Sequence, residues 1–242
     1  MEPDTFAIII PSYNEDVNIV KLIDSIRKLY KSCLIVVVDD SKPMKSSKLK
    51  DKLEHEFTNI EVHSRGKKSG RGSAVLHGLR SALKNKKNQY CIEMDADFSH
   101  SPKEISLLLD KREQFDCIVG SRYASAHSIV RWPLYRRVLS KAINALLRAI
   151  LAIRVSDFTN GFRLYSRRAA EYLVSRDVKE TGFIALSEWL VVLKKGNFSI
   201  GEVPTTFTDR VYGKSSAGLS EHLNAIRGLL RIVYRYYLRS ES

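Results

Sequence analysis

The stretch Tyr90–Glu104, YCIEMDADFSHSPKE, passes from an apolar run through a pair of aspartates to a helix start. Tyr90–Met94 is short and apolar enough for a buried strand. Asp95-Ala96-Asp97 follows at its end. Ser101-Pro102-Lys103-Glu104 then combines a capping box with proline at the first helical position. The same grammar recurs on either side. Phe6–Ile10 runs into Pro11-Ser12-Tyr13-Asn14-Glu15, Leu34–Val38 runs into Asp39-Asp40, and Ile60–Val62 and Cys117–Val119 add further strand-like runs. Between them, Val17–Leu29 places Val17, Ile19, Val20, Ile23, Ile26 and Leu29 near one helical face. Strands that are apolar on both faces and alternate with helices predict an α/β fold, a mostly parallel sheet flanked by helices. Ligands of such sheets bind beyond the carboxyl ends of the strands. The polar clusters of this sequence fall at those ends.

Two carboxylates spaced as Asp95 and Asp97 can reach a hard divalent cation, which prefers oxygen ligands and can bridge a substrate diphosphate. Alone, a D-x-D pattern also reads as a solvated loop with turn-forming aspartates, and Asp39-Asp40 is weaker still. GKKSGRG, residues 66–72, precedes a helix beginning near Ser73 but matches neither G-x-x-x-x-G-K-[ST] nor G-x-G-x-x-G, so a P-loop is not expected. His100 has no second histidine at helical spacing and reads as structural or supporting. No G-x-S-x-G nucleophile motif is present.

The chain has 242 residues, 44% of them apolar, enough for one large domain with a sizeable core. Cys33, Cys91 and Cys117 lie in apolar runs too far apart for a C-x-x-C motif and read as buried hydrophobes in a reducing compartment. MEPDTFAIII lacks the basic region and cleavage site of a signal peptide. The longest run free of Asp, Glu, Lys and Arg is Thr5–Asn14, against the roughly 20 apolar residues of a spanning helix, so no transmembrane segment is expected. Forty basic against 27 acidic residues leave a charge of +13, which favours an anionic partner: nucleic acid, anionic lipid or a phosphorylated substrate.

The second half changes character. Arg131–Arg154 carries six basic residues and no acidic one around a helical stripe of Val138, Ala142, Leu146, Ala149, Ile150 and Ile153. Near the C-terminus Leu219, Leu223, Ile226, Leu230, Val233 and Tyr237 form a second stripe, flanked by Arg227, Arg231, Arg235 and Arg239. These stripes predict amphipathic helices at about 136–154 and 219–242, suited either to a bilayer interface or to ordinary core packing.

Taken in order, PSYNE, VVVDDS, GKKSGRGSA, MDADFSHSP, GSRY, DFTNGFRLY and EVPTTFTDRVYGKSS resemble the inverting family 2 glycosyltransferases of GT-A fold, most closely the dolichyl-phosphate (polyprenyl-phosphate) mannose synthases. The resemblance runs from about Phe6 to Gly218. It implies a GT-A domain over 1–218, followed by the amphipathic helix of 219–242. It also implies inverting transfer of mannose from GDP-mannose to dolichyl or polyprenyl monophosphate. Residues matching Pro11, Tyr13, Glu15, Val38 and Asp40 would hold the nucleotide. Asp95, Ala96 and Asp97 match the diphosphate segment, where Asp95 and Asp97 would bind Mg2+ or Mn2+ and Asp97 would be the principal ligand. Arg122 and Arg210 match cations at the sugar diphosphate and, with Asp97, the catalytic set; Arg136 and Ser140 match positions facing the acceptor phosphate. The chain departs from the family pattern after DRVYG, where Ser215-Ser216 replaces the usual Ser-Lys and Lys214 stands earlier: either Lys214 takes over the phosphate contact or the closing loop grips differently.

Such an enzyme would be peripheral on the cytoplasmic face of a membrane, the endoplasmic reticulum in a eukaryote or the plasma membrane in a prokaryote. The lack of an integral anchor raises the question of a membrane-anchoring partner subunit. Two other readings stand beside it: transfer of glucose or an N-acetylhexosamine from a UDP donor to the same acceptor class, and a basic nucleic-acid-binding module. No nucleic-acid motif accompanies the charge, so no nucleic-acid partner is expected.

Overall fold

The computed structural model describes residues 5–125, 129–130, 132–208 and 219–238. Its centre is a seven-stranded sheet in the order β3-β2-β1-β4-β7-β5-β8. These strands are β1 (Phe6–Ser12), β2 (Leu34–Asp39), β3 (Ile60–Ser64), β4 (Tyr90–Glu93), β5 (Cys117–Ser121), β7 (Arg163–Ser166) and β8 (Ile200–Pro204). All neighbours pair in parallel except β7, which runs antiparallel to both β4 and β5. The runs expected to be strands are strands, and β7 and β8 are additional to them. A two-residue pair, β6 (Ile129–Val130) with β9 (Phe207–Thr208), lies outside the main sheet.

Alternation along β1 shows why the sheet is covered on both faces. Ala7 and Ile9 point into one apolar cluster, with α3 (Arg71–Ala82), α6 (Arg167–Ser175) and α7 (Ala185–Lys195). Ile8 and Ile10 point into the other, with α1 (Asp16–Leu29), α2 (Pro43–Glu56) and the short α4 (Ile105–Leu109). Period-two side chains of a strand buried on both faces must all be apolar, as these are. Gly78 of α3 rests directly on Ile9, where a Cβ would come within 2.5 Å of its Cγ2, so helix and sheet approach closely. Cys33, Cys91 and Cys117 are free and buried. Before α4, Ser101 Oγ accepts from the Lys103 N–H as an N-cap should, but Glu104 turns away and accepts from the Thr206 N–H, leaving the capping box half made.

Two long helices stand apart from this layering. Helix α5 spans Leu134–Leu151 and ends where Ala152 adopts a left-handed φ of 52°, short of the expected 154. Helix α8 spans Leu219–Val233 and continues as a π-helical segment, Tyr234–Leu238. Helix α5 buries Asn144, Leu147 and Leu151, while Val138 (59% exposed), Leu146 and Ile150 of the predicted stripe face outward. Among the side chains described on α8, from Ala225 onward, the buried positions are Gly228 and Ile232, and Ile226 and Leu230 (65% exposed) of the stripe face outward. Among the described residues no helix is long and apolar enough to cross a membrane.

One buried charge ties the far end of the sheet. Asp116, just before β5, accepts from Arg168 Nε and Nη2 at 2.5 Å each, from Ser166 Oγ, and from both N–H and Oγ of Ser199. Burial alone would raise its pKa, but the Arg168 fork and the serine donors outweigh it and hold the carboxyl well below the usual range. Asp116→Asn should therefore lose roughly 2 kcal/mol at pH 7. A carboxyl with a depressed folded pKa stabilises fully above its unfolded value near 3.9 and loses that stabilisation as pH falls below it. The gap in melting temperature between wild type and Asp116→Asn should accordingly be widest at pH 6–7 and shrink progressively below about pH 4.

Candidate active site

The carboxyl ends of β1, β2 and β4 meet as the topology requires. The backbone N–H of Asp40 donates to Ser12 O, the Asn14 N–H donates to Ser41 Oγ, and Ser41 Oγ donates to Asp39 Oδ1, so the loops after β1 and β2 are laced together. Asn14 reaches this position through a left-handed φ of 61°. Beside these loops lies a cavity of about 500 Å3 whose wall includes Pro11, Tyr13, Glu15, Asp40, Asp95 and Asp97. Ala96 is buried between the two aspartates and also lines it. The structure thus gathers every described nucleotide-sugar candidate except Val38 and Arg122, and Arg122 lines the neighbouring cavity. Val38 is fully buried in the core, its Cγ2 turned toward Gly78. Arg210 and Lys214 lie outside the described residues.

Charge inside this cavity is closely paired. Asp40 accepts from Arg65 Nε at 2.6 Å and Nη2 at 2.8 Å, and from the Ser69 N–H at 2.8 Å, which fixes the GKKSGRG loop above it. Asp95 accepts from Arg71 Nε at 2.8 Å. Asp97, 6% exposed, takes the N–H and hydroxyl of Ser99 on Oδ1. The next residue, Phe98, is held at φ 61°, unusual for a bulky side chain. Lys68 Nζ stands 5.4 Å from the Tyr13 ring centroid. Beneath the aspartates, the two oxygens of Glu93 are buried without hydrogen-bond partners, and burial outweighs the nearby Arg71 to push this carboxyl up to about 7.

A second cavity, about 700 Å3, shares Lys68, Gly70, Asp95, Asp97, Gly182 and Phe183 with the first. Its other walls carry Arg122, Trp132, Arg136, Ser140, Ile143 and Arg231, so it lies along α5 and α8. Arg136 stacks on Trp132 at 4.0 Å, and Ser140 Oγ receives the Tyr123 hydroxyl at 2.6 Å. Arg122 is less available than its sequence position suggests. Its Nε and Nη2 each donate at 2.7 Å to buried Asp157, and Nη2 also reaches Thr159 Oγ1. The bidentate pair with Asp157 makes this guanidinium first a part of the cavity wall.

His100 is fully buried, stacked 4.9 Å from Phe162, and both ring nitrogens lack hydrogen-bond partners. Burial lowers its pKa to about 4, so the ring is neutral at pH 7 and packs instead of reacting. The arginine row of α8 also differs from expectation. Arg231 donates to Glu180 and Arg235 to Glu188, carboxylates that are 4% and 0% exposed, and the Tyr236 hydroxyl donates to Glu188 as well. Two of the four arginines read as facing headgroups therefore hold α8 and its π-helical continuation against Glu180 of the loop 179–183 and Glu188 of α7, because a buried carboxylate left alone is costly. Arg239 lies outside the described residues.

No three His, Cys, Asp or Glu side chains among the described residues form a metal cluster. The two aspartates on a shared cavity wall fit a cation of the Mg2+ or Mn2+ kind, which takes one or two carboxylates and draws its other ligands from substrate phosphates and water. Sequence reasoning missed Arg71, Asp157, Trp132 and Phe183. Only Arg71 left a signal, a cation at a helix N-terminus, where the macrodipole disfavours it.

Comparisons with known proteins bear on the family and the fold. The profile of the glycosyl transferase family 2 matches residues 7–174. A polyprenol monophosphomannose synthase of Mycolicibacterium smegmatis is 35% identical over 210 residues, 86% of this chain and 79% of that protein. A dolichol-phosphate mannosyltransferase of Saccharomyces cerevisiae is 32% identical over 219 residues, 87% of this chain and 80% of that one. In fold, the chain resembles glucosyl-3-phosphoglycerate synthase from Mycobacterium tuberculosis, solved with Mn2+, uridine diphosphate and phosphoglyceric acid. The TM-score is 0.68 at 17% identity, covering 98% of this chain and 80% of that one. The architecture is GT-A-like.

Two arginines of the second cavity, Arg122 and Arg136, should separate by stability. Arg122→Ala strands the buried Asp157 carboxylate and should cost about 3 kcal/mol. Arg136→Ala removes a stacking contact on Trp132 and should cost under about 1 kcal/mol. Urea unfolding of the two variants measures the difference.

Proposed function

The chain belongs to glycosyl transferase family 2, and from that premise we propose that it transfers mannose from GDP-mannose to a polyprenyl or dolichyl monophosphate with inversion at the anomeric carbon. The observation that carries this reading is the shared wall of the two cavities. Asp95 and Asp97 border one cavity made of strand-end loops and a second lined by basic and apolar residues of α5 and α8. A dissolved nucleotide sugar and a membrane-held acceptor need such a pair of approaches to one point.

In this reading Tyr13, Glu15 and Asp40 border the guanosine, and Asp97 with Asp95 would hold a divalent cation that offsets charge on the departing diphosphate. An oxygen of the acceptor phosphate attacks the anomeric carbon as the bond to the diphosphate breaks, and the electron pair leaves with GDP. The acceptor oxygen is already anionic near neutral pH, so no strong general base is needed. The work of the protein is orientation. Arg136 offers charge to the acceptor phosphate. The Tyr123 hydroxyl, by donating to Ser140 Oγ, leaves the serine proton to point elsewhere, as toward an anion.

The outward stripes of α5 and α8 support placement on a membrane surface. Val138, Leu146, Ile150, Ile226 and Leu230 are exposed, and the Tyr237 hydroxyl donates to Leu151 O, tying the segment that continues α8 to the end of α5. Exposed Lys141, Arg148 and Arg227 would add about 1 kcal/mol each near anionic headgroups. The cytoplasmic face is the one that nucleotide sugars reach.

A panel of labelled nucleotide sugars with polyprenyl phosphate and Mg2+ or Mn2+ tests the reaction: GDP-mannose should be used, and preference for a UDP sugar would overturn the donor assignment. Asp97→Asn, which alters charge with little change of volume, should lower turnover at least about a hundredfold in a folded protein. Arg136→Ala should raise the KM for polyprenyl phosphate about tenfold and leave that for GDP-mannose nearly unchanged. Steady-state kinetics with each substrate varied in turn reads both.

A further inference from the structure

Glu93 and Asp95, at the end of β4, share one cation, and that cation is a side chain. Arg71 opens α3 with its guanidinium almost wholly inside the protein, 10% exposed. Its Nε donates to Asp95 Oδ1 at 2.8 Å, its Nη2 to the Gly161 carbonyl at 3.0 Å, and its Nη1 stands 3.7 Å from Glu93 Oε1. Gly161 admits it: a Cβ there would lie 1.9 Å from Nη2. The guanidinium also borders the cavity that Asp95 and Asp97 line.

This placement runs against the local backbone. A helix N-terminus carries partial positive charge and favours anions, so an arginine at that position is held by the carboxylates. It cannot release its proton, and a dication entering between Asp95 and Asp97 meets a fixed positive charge already bound to one of them. At such separations repulsion between fixed charges in a partly buried site is strong. A nucleotide diphosphate brings negative charge of its own and reverses the balance.

We propose that Arg71 is a positioning residue that acts as a resident counter-cation, keeping divalent-cation affinity low in the nucleotide-free protein and making cation binding conditional on the diphosphate. The idea rests on the assignment of Asp95 and Asp97 as the cation site, but not on the identity of sugar or acceptor. Charge is what matters in it, so lysine should substitute for Arg71 and an uncharged side chain of similar length should not.

Mn2+ binding followed by loss of the free-ion electron paramagnetic resonance signal tests it without turnover. Nucleotide-free Arg71→Met should bind Mn2+ about tenfold or more tightly than wild type, and Arg71→Lys should stay within about threefold of wild type. With saturating GDP the difference between Arg71→Met and wild type should narrow to about threefold or less. Because Arg71→Met leaves Glu93 unpaired in the interior, the double variant Arg71→Met/Glu93→Gln provides a form without that liability, and it should show the same tightening relative to Glu93→Gln alone. Nucleotide-free Mn2+ affinity in the folded double variant equal to that of Glu93→Gln would overturn the proposal. Asp97→Asn separates the two levels of the argument. If it weakens Mn2+ binding while the Arg71 variants leave it unchanged, only the counter-cation role fails. If Asp97→Asn has no effect on Mn2+ binding, the cation site itself fails and this inference with it.

Discussion

Buried carboxylates that must be matched one by one with guanidinium groups govern how this site is built. Asp40 is held by Arg65, Asp95 by Arg71, Asp157 by Arg122, Glu180 by Arg231 and Glu188 by Arg235. Each pair joins segments distant in sequence; Asp95 is 25% exposed, but Asp40, Asp157, Glu180 and Glu188 are buried and would each be left as an unpaired charge if their arginine were lost. The chain's large basic excess takes on a different meaning in this light. Several of its arginines are structural counter-charges, and Arg163 goes further, buried with its donors spent on the carbonyls of Asn160, Leu186 and Phe158. A net charge of +13 therefore overstates what is offered to an anionic partner.

The same pairs place the substrate loops. Residues 179–183 border the second cavity, Gly182 and Phe183 border both, and the segment is held from two sides. From α3, the Gly72 N–H donates to Thr181 O at 2.7 Å. From behind, Glu188 accepts the N–H groups of Lys179 and Glu180, while Arg235 and Tyr236 complete its shell. The C-terminal helix is thus part of the wall that shapes the site, and α8 reaches the same cavity with Ala225 and Arg231.

Much of the fold was legible because apolar runs that end in polar clusters leave few alternatives. Strands β1, β2 and β4 and the loops after them were placed by that pattern alone. Strand β7 was hidden because Arg163 stands inside it and its antiparallel run breaks the βα rhythm. Matching of motifs brought the aspartates, Tyr13, Arg136 and Ser140 into view, but a motif names a residue without its partners. Val38 is aligned with the site and faces the core, and Arg122 is aligned with a phosphate contact and grips Asp157. Partnership of this kind depends on long-range closure, with 35 residues separating Arg122 from Asp157, and no local spacing encodes it.

Helix α8 shows how far periodicity can be pressed. Its apolar stripe steps by four and three residues, and such a stripe says only that one face avoids water, not whether protein or lipid covers it. A different set of residues settles the matter. Gly228 and Ile232 lie one turn apart on the buried face, and a Cβ on Gly228 would come within 2.7 Å of Ile184 and 2.9 Å of Glu180 Oε2, so the helix can seat only where it has no side chain. Arg231 and Arg235 flank that seat at the same spacing and reach down to Glu180 and Glu188. A small residue beside arginines four apart marks the protein side of this helix, and the apolar stripe is left for another surface. A face that binds protein through ion pairs and a face that is apolar and exposed can thus share one helix, and only the buried acids say which is which.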